Sequence, residues 1–224
     1  MGRLDGKIAV IVGGGQTPGH SIGNGRATAI RFAEEGAKVL IVDRNESSAK
    51  ETLNMAKRRG GIGNVFVADI TIESQCIKMT ESCVKQFGRI DILHNNVGIG
   101  AGDTGPTKIT KEVWDNILNV NLTSVVFTCK HVLPIMRSQQ GGSIINISSI
   151  ASICEFGLVS YKASKAALNA YTHTLATGGA KYGIRANVIL PGLMNTPMAI
   201  EGYVAAGYDR TCGGPRRSCG CSRP

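Results

Sequence analysis

The chain has 224 residues, 42% of them hydrophobic and 18% charged, with 29 glycines and only 5% aromatic side chains. That composition suits one globular domain with a core of Val, Ile, Leu and Ala, and it excludes fibrous, collagen-like and wholly disordered chains. The formal charge of +9 does not mark a nucleic-acid binder: Arg210, Arg216, Arg217 and Arg223 crowd an acid-free end, and no basic run is interleaved with aromatics.

In chain order, Lys7 to Val12 is an apolar β-branched run that predicts a strand, followed by a glycine-rich turn and an amphipathic stretch, Asn24 to Glu35, closed by Gly36. Lys38 to Val42 reads as strand, Glu46 to Arg59 as helix, Asn64 to Ala68 as strand and Glu73 to Phe87 as helix. Arg89 to His94 reads as strand, Lys111 to Arg137 as one long helical region and Gly142 to Ser148 as strand. Ser160 to Tyr182 then reads as helix and Ile184 to Leu190 as strand. Such alternation means parallel strands joined by helical crossovers, and strands that are apolar throughout mean that helices cover both faces. The fold class is therefore α/β: a single-domain, Rossmann-like doubly wound parallel sheet, ordered 3-2-1-4-5-6. The catalytic domain is placed at residues 1 to 209, and residues 210 to 224 (RTCGGPRRSCGCSRP) read as an irregular, disordered or aberrant tail.

No apolar run approaches the roughly 18 residues of a membrane helix, and the first residues lack a signal core, so a cytoplasmic protein without a membrane partner is expected. Cys76, Cys83, Cys129 and Cys154 sit in apolar or amphipathic segments and read as small buried hydrophobes. Cys212, Cys219 and Cys221 lack the spacing of a zinc site, so no metal is expected.

A strand ending at Val12, a turn through Gly13, Gly14 and Gly15, and a helix opening near Asn24 can place a pyrophosphate on a helix N-terminus. A turn that merely needs positive φ explains the glycines about as well. Asp43 ends the second strand, about 20 residues beyond the loop, where a carboxylate can accept both ribose hydroxyls of NAD and repel a 2′-phosphate. NAD is thus favoured over NADP, although the neighbouring Arg44 keeps NADP open. Tyr161 and Lys165 stand at i and i+4 on one helix face, where an ammonium is expected to draw the phenol from about 10 toward working pH.

From residue 4 to about 209 the sequence resembles the short-chain dehydrogenase/reductase family. The glycine-rich start, Asn95-Asn96-Val97-Gly98, the stretch Trp114 to Leu122 with Asn121, Ser149 with Tyr161 and Lys165, and Gly183 to Gly192 match the family's motifs in order. The resemblance implies an NAD(P)-dependent oxidoreductase that moves a hydride between nicotinamide and a secondary alcohol or ketone. In it Tyr161 is the acid/base, Lys165 holds the nicotinamide ribose, Ser149 steadies the reacting oxygen and Asn121 positions a water. It further implies that Gly14 belongs to the cofactor loop, that Asp69 and Ile70 meet the adenine, Asn95 and Gly98 the adenosine side, and Pro191 and Thr196 the nicotinamide amide. Pairing into a homodimer or homotetramer is implied for the helices after Lys111 and at Ser160 to Tyr182.

Three departures qualify that picture. The glycine loop is lengthened, and Ser21 to Gly25 looks more like the loop of the family's enoyl reductases, so Ser21 and Ile22 are expected on the diphosphate; the Tyr161 to Lys165 spacing nevertheless favours carbonyl chemistry. Ser149 lies one place nearer the tyrosine than is common, which leaves Ser148 as the alternative. Residues 210 to 224 show no helix and strand pattern, so the family's last strand is expected to be missing, with lower stability and a weakened assembly. A catalytically impaired nucleotide-binding protein is the competing function. The substrate, a small molecule, stays open among cyclic alcohols, sugars, dihydrodiols and steroids.

Overall fold

The computed structural model describes residues 2–154 and 157–200. Six parallel strands, β1 (Ile8–Val12), β2 (Lys38–Asp43), β3 (Ile62–Val67), β4 (Ile92–Asn95), β5 (Gly142–Ile147) and β6 (Ile184–Ile189), form one sheet ordered β3-β2-β1-β4-β5-β6. The order expected from the sequence is therefore the one observed. Alternation along the strands builds two cores: Ile8, Val10 and Val12 of β1 point with Leu40 and Val42 to one face, Ala9 and Ile11 with Val39 and Ile41 to the other.

The second face is covered by α1 (Asn24–Glu34) and α2 (Glu46–Arg58), whose alanines Ala29, Ala33, Ala49 and Ala56 permit close approach. On the first face lie α3 (Glu73–Phe87), α5 (Ser124–Ser138) and α6 (Val159–Gly179), through Cys76, Met79, Cys83, Val125, Val132 and Leu168. The sheet changes winding direction between β1 and β4, so the loops leaving their carboxyl ends open a crevice there.

The long helix expected over Lys111 to Arg137 is broken. α4 (Lys111–Leu118) gives way to a single wide π-turn at Asn119–Thr123 before α5 begins. Insertion of an extra residue into a helical turn rotates the turns after it, and such insertions favour functional positions; Asn121 sits inside this one, fully buried. β4 starts later than expected: both backbone groups of Ile90 are taken by the Gln139 side chain (3.0 and 2.8 Å), while the Asp91 carboxylate accepts from Ile8 N (2.9 Å) and pairs with Arg89. β3 runs Ile62–Val67 instead of Asn64 to Ala68, its ends exposed at the sheet edge. Cys154 is exposed, contrary to its expected burial, because it lies beyond β5 in the loop toward α6. Among the described residues no helix is long and apolar enough to cross a membrane, and no cluster of His, Cys, Asp and Glu could hold a metal. The expected boundary at 209, the tail and the missing strand fall outside the described residues.

Candidate active site

The chain leaves β1 through Gly13, whose φ of +76° favours glycine. The amides of Gly13 and Gly14 donate to Val42 O (2.8 and 3.1 Å), Gly15 N donates to Asp43 Oδ2 (2.9 Å) and Gln16 N to Ser48 Oγ (2.9 Å). The loop's first four amides thus have acceptors within the protein, whereas those of Ser21 and Ile22 find none among the described residues. Gln16 closes the inserted segment on itself, its amide donating to Ser21 O (3.3 Å) and its side-chain oxygen accepting from Gly23 N (2.9 Å). α1 then starts with Gly23 at its N-cap, with neither a side-chain cap nor an acid in its first turn. Gly25 closes the helix onto the loop: a Cβ there would lie 1.9 Å from Gly13 O. An open cleft of about 660 Å³ lies between this loop and α2, lined in part by Gln16, His20, Ser21, Ile22, Arg26 and Ser48.

Asp43 also accepts from Asn45 N (2.9 Å), so one carboxylate holds both the glycine loop and the turn into α2. Its remaining lone pairs are available to a ribose. After β3, Asp69 Oδ1 accepts from Thr71 N (2.9 Å) and Thr71 Oγ1 (2.6 Å), and Ile70 is buried in the core. Asn95 turns its amide into the interior, donating to Asn146 Oδ1 (2.8 Å) and accepting from Thr128 Oγ1 (2.9 Å), so the cofactor side of this strand end belongs to the turn after it. In that turn Gly98 leaves room for Lys165, whose Nζ would stand 3.1 Å from a Cβ. Pro191 O accepts from Ile150 N (3.0 Å), and Thr196 is nearly buried at the start of a helical turn.

At the other end of the crevice α6 brings Tyr161 and Lys165 together, with Nζ 5.8 Å from the tyrosine ring centroid. Lys165 is buried and donates to Ile147 O (2.9 Å); burial pulls its ammonium down to about 8. Burial likewise raises the Tyr161 phenol above its ordinary value, with a hydrogen bond to Ser149 working the other way. The expected lowering by Lys165 is therefore not found: removal from water decides the direction, and the ammonium donates to the Ile147 carbonyl. The two serines divide cleanly, because Ser148 is buried and donates to Lys165 O (3.0 Å), while Ser149 is the one at the phenol. Asn121 spends its amide on the β4 exit, accepting from Ile99 N (2.7 Å) and donating to Ile99 O (2.9 Å) and Ser164 Oγ (3.0 Å).

The family model described as short chain dehydrogenase matches residues 7–203. The chain belongs to that family. It is 36% identical over 197 residues to a 3-oxoacyl-acyl-carrier-protein reductase of Thermotoga maritima, covering 88% of this chain and 77% of that one. A 7alpha-hydroxysteroid dehydrogenase of Clostridium sardiniense is 35% identical over 211 residues, with 90% and 76% covered. Among solved structures, NAD+-bound xylitol dehydrogenase superposes with a TM-score of 0.81 at 32% identity, over 86% of this chain and 72% of that one.

As a short-chain dehydrogenase, this chain is an NAD(P)-dependent oxidoreductase acting on a small molecule, and its residues fit such a cofactor. Side chains at Gly14 and Gly15 would meet Ile41 and Asp43 at 2.8 Å, so the loop lies flat on β2 with no room for Cβ atoms, and the uncapped start of α1 offers amides to an anion. Several groups that shape the site carry no motif. Gln16, Ser48 and Asp103 are ordinary polar residues in sequence, although Asp103 is the one acid between Asp91 and Glu112. Ser164, wedged between Asn121 and Tyr161 O (2.7 Å), had a signal in its place immediately before Lys165.

Proposed function

We propose that this dehydrogenase interconverts a secondary alcohol and a ketone with NAD, and that Tyr161 exchanges the proton on the substrate oxygen. The single observation that carries the reading is the half-buried phenol of Tyr161 beside Ser149, with Lys165 behind it on the same helix. When bound, the nicotinamide supplies hydride chemistry. Tyr161 takes the hydroxyl proton in oxidation and returns it in reduction; Ser149 orients that oxygen. Lys165 keeps two further N–H groups beyond its bond to Ile147 O, enough to hold a ribose hydroxyl. Asn121 fixes the loop wall through Ile99, the position from which a water in the proton path is held. Ser21 and Ile22 bind the diphosphate, with Gly14 in the loop beside them; Asp43 holds the adenosine ribose, Asp69 and Ile70 meet the adenine, Gly98 lies on the adenosine side in the turn that Asn95 anchors from below, and Pro191 and Thr196 receive the carboxamide. A carboxylate at Asp43 repels a 2′-phosphate, which supports NAD over NADP. The helices α4, α5 and α6 pair the chain into a homodimer or homotetramer, which sedimentation velocity checks.

A protonated resting phenol favours reduction at neutral pH, so alcohol oxidation rises as pH climbs into the alkaline range. The test is a screen at the NADH absorbance with xylitol, a 7α-hydroxysteroid and a 3-oxoacyl thioester, followed by Tyr161→Phe. Turnover falls about 10²- to 10⁴-fold while calorimetry still finds NAD bound; undiminished kcat in Tyr161→Phe would sink the reading.

A further inference from the structure

Among the described residues, the helix that carries Tyr161 and Lys165 has no side-chain cap from its own chain segment: Leu158 occupies the N-cap position of α6 and makes no side-chain cap hydrogen bond. The first N–H groups of any helix lack partners inside it. In α6 they are taken by two residues of the loop between β4 and α4. Val159 N donates to Thr104 O (3.3 Å), Ser160 N to Asp103 Oδ1 (3.2 Å) and Tyr161 N to Asp103 Oδ2 (2.7 Å). Asp103 is 8% exposed and also accepts from Thr104 N (2.9 Å), so three amides surround one buried carboxylate at the positive end of a 21-residue helix. Charge and geometry agree there, because a carboxylate is stabilised both by the helix dipole and by charge-assisted bonds.

The same loop touches the catalytic cluster at three more points. Gly98 makes room for Lys165 Nζ, Gly100 faces the Tyr161 ring, where a Cβ would lie 3.5 Å from Cδ2, and Ile99 is gripped at both backbone groups by Asn121. A local cap would tie the start of α6 only to the residues before it. A cap supplied from 57 and 58 residues away joins the loop wall and the helix wall of the site into one piece.

We infer that Asp103 is a positioning residue: by holding the amide of Tyr161 itself, it sets the phenol against Ser149 and against the loop that faces the substrate. The inference rests on the acid/base reading of Tyr161. Loss of the carboxylate frees the first turn of α6, and the displacement passes directly to Tyr161. The glycine loop and Asp43 lie at the other end of the crevice and do not feel it.

Asp103→Ala and Asp103→Asn in the full chain test this, by amide exchange without substrate and by NAD-coupled turnover of xylitol and a 7α-hydroxysteroid. In Asp103→Ala the amides of residues 159 to 161 exchange faster while those of β2 and α2 are unchanged. Its kcat falls about 10- to 100-fold while KM for NAD stays within about 2-fold. Asp103→Asn keeps one acceptor for two amides and recovers part of the loss. The inference is overturned by wild-type exchange and wild-type kcat in Asp103→Asn, by wild-type kcat in a folded Asp103→Ala, or by NAD affinity falling in step with kcat. Should Tyr161→Phe retain full turnover, the acid/base reading falls, yet the exchange result on Asp103 stands or falls independently.

Discussion

The two ends of the crevice hold their polar groups in different ways. At the nucleotide end short-range, partly exposed partners stand beside the longer ties of the glycine loop to Asp43 and Ser48: Gln16 with Ser21 and Gly23, Asn45 with Ser48, Asp69 with Thr71. At the catalytic end they are buried and come from afar: Asn121 meets Ile99 and Ser164, Lys165 meets Ile147, and Asp103 meets Tyr161. Local turns can absorb a lengthened loop, because each satisfies its own backbone. A buried network has no such slack, since removing one member strands another away from water.

The largest expected difference comes from Lys165→Met. The buried ammonium is destabilised by loss of water, so a methionine of similar length relieves that cost while deleting the group behind Tyr161. Turnover is expected to fall about 10²- to 10³-fold, some 3 to 4 kcal/mol of transition-state stabilisation, while Tm holds or rises. Steady-state rates beside calorimetry check it, and a fall in Tm that matches the loss of activity would erase the distinction between the two ends.

Next in size is the seam. His94 lies on β4, paired with Ile11 on the nucleotide side and Ile145 on the catalytic side. It is buried, and burial lowers its imidazole to about 4. Because the unfolded ring takes a proton near 6.5 and the folded ring resists it, stability is complete above that value and drains away as pH falls toward 4. About 3 kcal/mol is lost over that window. Urea titrations at several pH values measure it, and His94→Phe, filling a site already edged by Phe32, flattens the profile.

Legibility in the sequence divides along the same line. Strand order, the two apolar faces and the glycine turn were readable because their signals are periodic or local: β1 alternates between two cores as its residues do. The π-turn at Asn121 was not, since an extra residue in a helical turn leaves the hydrophobic pattern almost unchanged. The phenol's upward shift is illegible for a related reason: spacing puts Lys165 beside Tyr161, whereas burial, a property of the packed whole, decides the sign. Only the fold could distinguish the two serines, by turning Ser148 to the helix backbone and Ser149 to the phenol.

Gly25→Ala sharpens the nucleotide end. A methyl 1.9 Å from Gly13 O must push α1 off the loop, at a cost of about 1 to 3 kcal/mol in stability. NAD affinity falls with it and kcat at saturating NAD is retained; isothermal titration and saturation kinetics separate the two.

The smallest effect contrasts two helix starts. α2 has a local cap, in which Asn45 Oδ1 accepts from Ser48 N (3.0 Å), whereas α6 depends on Asp103 from a distant loop. Removing a local cap costs about 1 kcal/mol, and the loss stays in the first turn of α2. Asn45→Ala is therefore expected to lower Tm by a few degrees and to leave the pH profile and kcat of alcohol oxidation untouched. If kcat instead fell as it is expected to fall in Asp103→Ala, a helix start would matter to turnover wherever it lay. The long-range cap at Tyr161 would then have no special standing, and the division between a local nucleotide end and a cooperative catalytic end would have to be given up.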